Sequence, residues 1–223
     1  MPYQVKARGK KTAEVLLYNE IGASWFGGVT AKQLQDDLAK LGEVETINLR
    51  INSPGGDVFE AFTMYNNFAR HPANVIVDID GMAFSAASVV AMAGNEIRMA
   101  DNAMMMIHNP ATGLYGGADD FNKMADVLNQ VKGNIVTTYA KQTKLEVETL
   151  EELMDAESWF TADQALSKGF IDKITDALNV EACFDPRRFK HPPAHFMDSR
   201  RTSSPKLDAY RGRLADVIRT ARG

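Results

Sequence analysis

Hydrolysis of an amide by a serine makes three demands. The hydroxyl must lose its proton as it attacks, a base must take that proton, and N–H donors must hold the oxyanion. Histidine narrows the search for the base, because the chain has only four: His71, His108, His191 and His195. His71 precedes Pro72 where a helical pattern stops, which is a structural position. His191 and His195 lie in a proline-rich stretch. His108 is different: it follows the apolar run Met104–Ile107 and precedes Asn109-Pro110. A polar residue at the C-terminal end of a buried strand is a common seat of chemistry in α/β proteins. Taken alone, such a histidine is more often a satisfied core residue than a base.

The hydroxyl and the donors come from two other segments. Ser85 opens SAASVVAMAG directly after a strand pattern and Gly81. A helix start leaves N–H groups unused and favours negative charge nearby. An isolated serine at such a place, Ser85 or Ser88, is ordinarily an N-cap or a small packing residue. Ser53-Pro54-Gly55-Gly56-Asp57 joins a strand to a helix. Its two glycines let backbone approach a ligand closely and leave N–H groups unobstructed. By itself this is an ordinary turn.

These segments are positioned by alternating strands and helices. TAEVLLY (12–18) predicts a strand. Leu34, Leu38 and Leu41 predict a helix over 30–42, opened by a Thr30/Gln33 capping box. Ile47, Leu49 and Ile51 alternate as a strand over 45–52. A helix over 57–70 follows, then a strand over 74–80, a turn at Gly81 and a small-residue helix from Ser85 to Ala93. Short strands are expected at 96–100 and 103–107. Phe121, Met124, Leu128, Val131 and Ile135 form one stripe of a long helix over 117–142, and another helix begins near Glu146. Thr161 and Gln164 form a second capping box, with a last strand at 170–174. Such alternation predicts an α/β fold built from right-handed crossovers.

The bulk properties restrict the function. Hydrophobic residues make up 45% and charged residues 24%, ordinary for a globular domain that folds without staples. The single cysteine, Cys183, excludes an internal disulfide and follows the last structural pattern, so it is read as an incidental thiol. The net charge of −4 divides unevenly, with +5 after residue 180 and −9 before it. An acidic body argues against nucleic-acid binding. No apolar run approaches the ~18 residues of a membrane helix. MPYQVKARGKK lacks the apolar core of a secretory signal. No Cys/His cluster suggests a metal, and SPGGD is not a phosphate-binding loop, so no cofactor is expected. Four of the eight prolines fall after residue 178, which predicts a domain over 1–178 and a basic, flexible region over 179–223. Within the latter, Leu207, Tyr210, Leu214 and Ile218 suggest a docking helix or a solvated one.

Each of these chemical segments is weak alone, but their order resembles a family. INSPGGDV (51–58), GMAFSAAS (81–88) and MIHNP (106–110) are similar to three signature segments of the Clp protease proteolytic subunit. WFTADQALSKGFID (159–172) resembles that family's closing segment, and the resemblance covers about residues 12–176. It implies a ClpP/crotonase-like spiral of ββα units with a protruding helical handle, whose start corresponds to ATGLYGGAD. It also implies Ser85 as nucleophile, His108 as base, and the N–H groups of Gly56 and Ala86 as the oxyanion hole. The family's third member is an aspartate. The matching position holds Glu157, with Asp155 two residues earlier as the alternative.

The resemblance further implies a homo-oligomeric ring of about seven subunits, single or stacked, acting on protein substrates. The segments KTAEVLLYNEIG and FGGVTAKQLQDDLAKLGEVETINLRINSPGGD resemble ClpP-like prohead proteases of tailed phages, which cleave capsid or scaffold protein in the bacterial cytoplasm or inside the prohead. The basic tail would suit a tether to that partner. Competing expectations are a general ClpP-type peptidase served by a separate ATPase, a crotonase-like acyl-CoA enzyme, a Ser–Lys signal-peptide peptidase and an inactive scaffold ring. A serine set beside MIHNP argues against the acyl-CoA enzyme, and no matching lysine near His108 supports the Ser–Lys arrangement.

Overall fold

A computed structural model describes residues 3–9, 11–23, 28–177, 185–186 and 189–194. The chain divides into two units, Met1–Val180 and Glu181–Gly223. The first carries every regular element described below. Cys183, His195 and the 207–218 stripe lie outside the described residues.

The first unit is a mixed α/β spiral. Strands β1 (Tyr3–Ala7) and β2 (Thr12–Leu17) form an antiparallel hairpin. Helix α1 (Ala31–Ala39) then leads to β3 (Thr46–Ser53), which pairs parallel with β2. Helix α2 (Val58–Ala69) leads to β4 (Asn74–Phe84), parallel with β3. After α3 (Ala86–Ala91) come β5 (Glu96–Ala100) and β6 (Met104–Ile107). Helices α4 (Ala118–Thr143) and α5 (Val147–Asp155) follow, then β7 (Ser158–Thr161), α6 (Ala162–Ser167) and β8 (Lys173–Thr175). Thr30 and Asp57 cap α1 and α2, accepting from Gln33 and from Phe59 and Glu60. Thr161 and Gln164 bond reciprocally at the start of α6, as the capping box requires.

Strand β4 organises the site, because its 11 residues serve two partners in turn. Ile76–Ile79 pair with β5, whereas Met82–Phe84 pair with β6. The sheet therefore forks at Asp80-Gly81, and one branch continues through β6 to the antiparallel β7. The alternating apolar residues Val75, Val77 and Ile79 join Leu49, Ile97 and Met99 in the core. At the fork, buried Asp80 is gripped by Arg50 through Nε and Nη2 at 2.7 and 2.8 Å, and accepts from the Tyr18 hydroxyl. Burial and the Asp80 contact together push the Tyr18 phenol well above its ordinary value.

Several expectations need correction. Gly81 does not turn the chain: β4 runs on through Phe84, because ladder partners on β6 continue to receive it. Helix α3 consequently starts at Ala86 rather than Ser85 and ends at Ala91. The last strand begins at Lys173, since Phe170 and Ile171 are buried in the turn after α6. Strands β1 and β7 were not expected from the sequence. The 121–135 stripe is only half a core face: Val131 and Ile135 are buried, while Phe121 is 53% exposed on a helix end that projects from the body. That projecting end corresponds to the expected handle.

Candidate active site

The fork delivers Ser85 to the end of β4. Its backbone N–H completes the β4–β6 ladder by donating to Met106 at 2.9 Å. Its φ of 53° and ψ of −126° lie in a region that L-residues rarely adopt. Such backbone costs on the order of 1–3 kcal/mol and persists only when its surroundings over-determine it. A sharp strand-to-helix turn of this kind lifts a serine hydroxyl clear of the helix. Ser85 occupies the N-cap position of α3, yet its side chain makes no capping hydrogen bond. Its Oγ stands 2.8 Å from His108 Nε2 instead. The ordinary N-cap role is thus refused in favour of the imidazole.

His108 follows the last residue of β6, so its position is set by the same ladder that holds Ser85. The β6–β7 register pairs Met104 with Thr161 and Ile107 with Ser158. One further step in that register sets His108 opposite Glu157. Glu157 is 5% exposed and takes a left-handed φ of 50°, its N–H closing the end of α5 on Met154. A glycine is the usual occupant of such a helix end. A buried glutamate there turns the chain from α5 into β7 within one residue. Trp159 Nε1 donates to Glu157 Oε1 at 3.4 Å, and the Trp159 ring meets Phe84 edge-on at 4.9 Å. Asp155 lies elsewhere: its side chain is 56% exposed and accepts from Lys132 Nζ at 2.6 Å and Asn109 Nδ2 at 2.7 Å. The Lys132 and Asn109 contacts hold the Asp155 carboxyl below its ordinary value.

The Gly55-Gly56 turn closes against the serine. Segment 20–22 runs beside it, with Ile21 donating to Gly55 and accepting from Asp57. In that parallel bridge the N–H of Gly56 points away from Ile21. Both glycines are required. A Cβ on Gly56 would lie 2.1 Å from the Ile21 carbonyl oxygen. One on Gly55 would lie 2.5 Å from Phe84 O and 2.9 Å from both Ala86 N and Ser85 Cβ. The Gly55-Gly56 backbone thus abuts the Ser85–Ala86 peptide. Ala86 opens α3, and its N–H has no acceptor within the helix.

The structure brings Ser85 and His108 into contact, sets the Gly55-Gly56 turn against the Ser85–Ala86 peptide, and leaves His108 and Glu157 one step beyond the last β6–β7 pair. A hydroxyl within hydrogen-bond reach of an imidazole, beside glycine backbone, is the arrangement of a serine hydrolase. Two further hydroxyls adjoin the serine: Ser88, read in the sequence as a cap or packing residue, and Tyr139, which the sequence did not single out. Both are buried, and Ser88 Oγ lies 2.5 Å from the Ser85 carbonyl oxygen and 2.7 Å from the Tyr139 hydroxyl. Only Ser88, three residues beyond Ser85 on the same turn, left a signal. Among the described residues no cluster of metal-ligating side chains occurs, and no helix is long and apolar enough to cross a membrane.

Comparison with known proteins agrees with this class. The Clp protease family model matches residues 3–177. An ATP-dependent Clp protease proteolytic subunit of Porphyromonas gingivalis is 32% identical over 152 residues, covering 66% of this chain and 68% of the relative. Proteolytic subunit 3 of Rhodococcus jostii is 33% identical over 135 residues, covering 59% of this chain and 66% of the relative. Proteolytic subunit 2 of Tropheryma whipplei is 35% identical over 133 residues, covering 58% and 73%. A solved structure of a ClpP1 variant from Listeria monocytogenes shares the fold with a TM-score of 0.65 at 23% identity, over 75% of this chain and 92% of that one. The chain belongs to the Clp protease family. Its class of chemistry is that of a serine-type peptidase, a hydrolase.

Proposed function

We infer that the protein is a serine endopeptidase in which Ser85 attacks a peptide carbonyl and His108 accepts its proton. The observation that carries this reading is the 2.8 Å contact between Ser85 Oγ and His108 Nε2, made by a serine in a strained turn. Gly56 and Ala86 N–H groups receive the oxyanion, and Glu157 orients the imidazole and stabilises its cation. His108 then returns the proton to the leaving amine, and water hydrolyses the acyl-enzyme. Burial of Glu157 and its register opposite His108 favour it over the exposed Asp155, which Lys132 already engages.

We further infer a role in phage head maturation. The substrate is then capsid or scaffold protein, met in the cytoplasm of the bacterial host or inside the prohead. Support comes from the N-terminal segment's resemblance to prohead proteases and from the +5 charge of residues 181–223, which would tether an acidic partner. The working form is a homo-oligomeric ring of about seven subunits, single or stacked, consistent with family membership and the exposed apolar end of α4. The relatives' description as ATP-dependent subunits favours a second reading, a general peptidase fed by a separate ATPase.

The chemistry is tested with a fluorophosphonate probe and mass spectrometry on the assembled protein. Labelling at Ser85 that disappears in His108→Ala supports the reading. Absence of labelling between about pH 6 and 9 sinks it. The biological role is tested by deleting 181–223. Peptidase activity persisting while capture of co-expressed capsid or scaffold protein is lost supports the tether. Unchanged capture refutes it, and protein turnover that requires an added ATPase and ATP supports the second reading.

A further inference from the structure

The Ser85–Ala86 peptide unit does two things at once. Its N–H, on Ala86, is the proposed oxyanion donor, and its carbonyl, on Ser85, points the opposite way because the peptide is trans and planar. Whatever grips the carbonyl therefore aims the N–H. The grip is double: Ser88 donates to the Ser85 carbonyl oxygen through its backbone N–H at 2.9 Å and its hydroxyl at 2.5 Å.

The direction of the next bond follows from counting hydrogens. A serine hydroxyl has one proton and can accept as well. The Ser85 carbonyl only accepts, so the Ser88 proton goes to it. The Tyr139 hydroxyl, 2.7 Å from Ser88 Oγ, must therefore donate to Ser88. Burial raises the Tyr139 phenol well above its ordinary value, outweighing the opposing effect of the Ser88 contact, so the proton is present throughout the working range. Ser88 and Tyr139 are 0% and 1% exposed, which leaves little room for water to substitute. The Tyr139 ring is held edge-on against Phe170 at 5.5 Å, and Phe170 stacks on Phe160 at 5.3 Å. Chains of hydrogen bonds also polarise one another, so a donor at one end strengthens the N–H at the other.

We propose that Tyr139 and Ser88 are positioning residues for the peptidase reaction: their hydroxyls form a relay that turns the Ser85–Ala86 peptide so that the Ala86 N–H faces the developing oxyanion. The opposite side of that peptide agrees, since a Cβ on Gly55 would come within 2.9 Å of Ala86 N, where the Gly55-Gly56 turn closes the site. The relay also offsets the strain of Ser85 by fixing the peptide that follows it. The proposal rests on Ser85 acting as the nucleophile.

The experiment compares intact protein with Tyr139→Phe, Ser88→Ala and the double variant. It measures phosphonylation of Ser85 by the fluorophosphonate probe, resolved into the saturating rate and the concentration at half-saturation, with thermal unfolding alongside. Each single variant should slow the saturating rate by roughly 5- to 50-fold, as expected for an oxyanion donor loosened rather than removed. Half-saturation should stay within about twofold, because unreacted probe makes little use of that N–H. The double variant should be no slower than the slower single, since one relay is cut in both. Tyr139→Phe keeps the ring and removes one oxygen, so it alone decides if Ser88→Ala does not fold. A Tyr139→Phe rate within twofold of the parent overturns the proposal, whatever its melting temperature. So does a loss carried by half-saturation. Failure of the parent protein to label at Ser85 overturns the nucleophile assignment instead, and the relay falls with it.

Discussion

Replacing Glu157 by glutamine tests the proposed third catalytic position directly. Glutamine has nearly the same length and volume, so the 5% exposed side chain stays packed and its amide oxygen can still accept from Trp159 Nε1. The change in folding stability should stay below about 1 kcal/mol, the size of one net hydrogen bond. In the proposed mechanism, what is lost is the negative charge facing His108 and the acceptor that would select its tautomer. In serine proteases the equivalent loss costs about 10⁴-fold in turnover. A glutamate has a longer and looser reach, so the expected fall here is roughly 10²–10⁴-fold in the rate of acylation. Asp155→Asn is the matched control. Its carboxylate is 56% exposed and paired with Lys132, and such pairs contribute about 0–1 kcal/mol. Its acylation rate should remain within about threefold of the parent, because the amide oxygen that replaces Oδ1 can still accept from Lys132 and Asn109, so the tie persists while the charge is removed. The assay is the rate of fluorophosphonate labelling at Ser85, with urea unfolding on the same samples. A slow Asp155→Asn beside a normal Glu157→Gln would refute the register argument and hand the role to Asp155.

Two further outcomes follow from the same geometry. Gly55→Ala should abolish labelling while costing roughly 2–4 kcal/mol in urea unfolding, since its Cβ meets backbone at 2.5 Å and its φ is 90°; labelling at the parent rate would show that the turn does not bear on the serine. His71, whose Nδ1 accepts from Ala73 N–H at 3.1 Å, has its pKa lowered by burial from an ordinary 6.5. The folded state then binds fewer protons than the unfolded one, so this stabilisation is complete above about pH 6.5 and declines as pH falls toward the folded value. His71→Gln should flatten that part of the urea-stability profile between about pH 7.5 and 5.5, and an unchanged slope would refute the assignment.

Much of the site was legible because its parts are local. Ser53–Asp57 follows a strand that period-2 alternation locates, and His108 follows a short apolar run, whereas Ser85 was legible only as the start of a small-residue helix. The helices were legible through their caps and stripes, and Thr161 with Gln164 marked its own boundary. The losses have a common physical cause, which is partnership between distant residues. Strand β7 exists because β6 offers it a ladder, and four residues containing Trp159 and Phe160 carry little signal of their own. The extension of β4 past Gly81 depends likewise on β6. The strained φ at Ser85 and Glu157 is imposed by tertiary closure, against the local preference of either residue type. Tyr139 was read only as part of a long amphipathic helix, because nothing in its neighbours reveals that it reaches back 51 residues to Ser88.

Helix α4 holds both sides of the Ser85–His108 pair by separate fastenings. Lys132 ties it through Asp155 to Asn109, the residue after His108, and Tyr139 ties it through Ser88 to Ser85. The two fastenings are seven residues apart, about 10 Å or two turns along one face. One residue inserted between them would swing one fastening about 100° around the axis relative to the other. The first turns of α4, exposed and free of such ties among the described residues, can lengthen, shorten or change sequence without that penalty. The stretch from Lys132 to Tyr139 therefore has a fixed length, and a change in the length of α4 is accommodated only at its outer end.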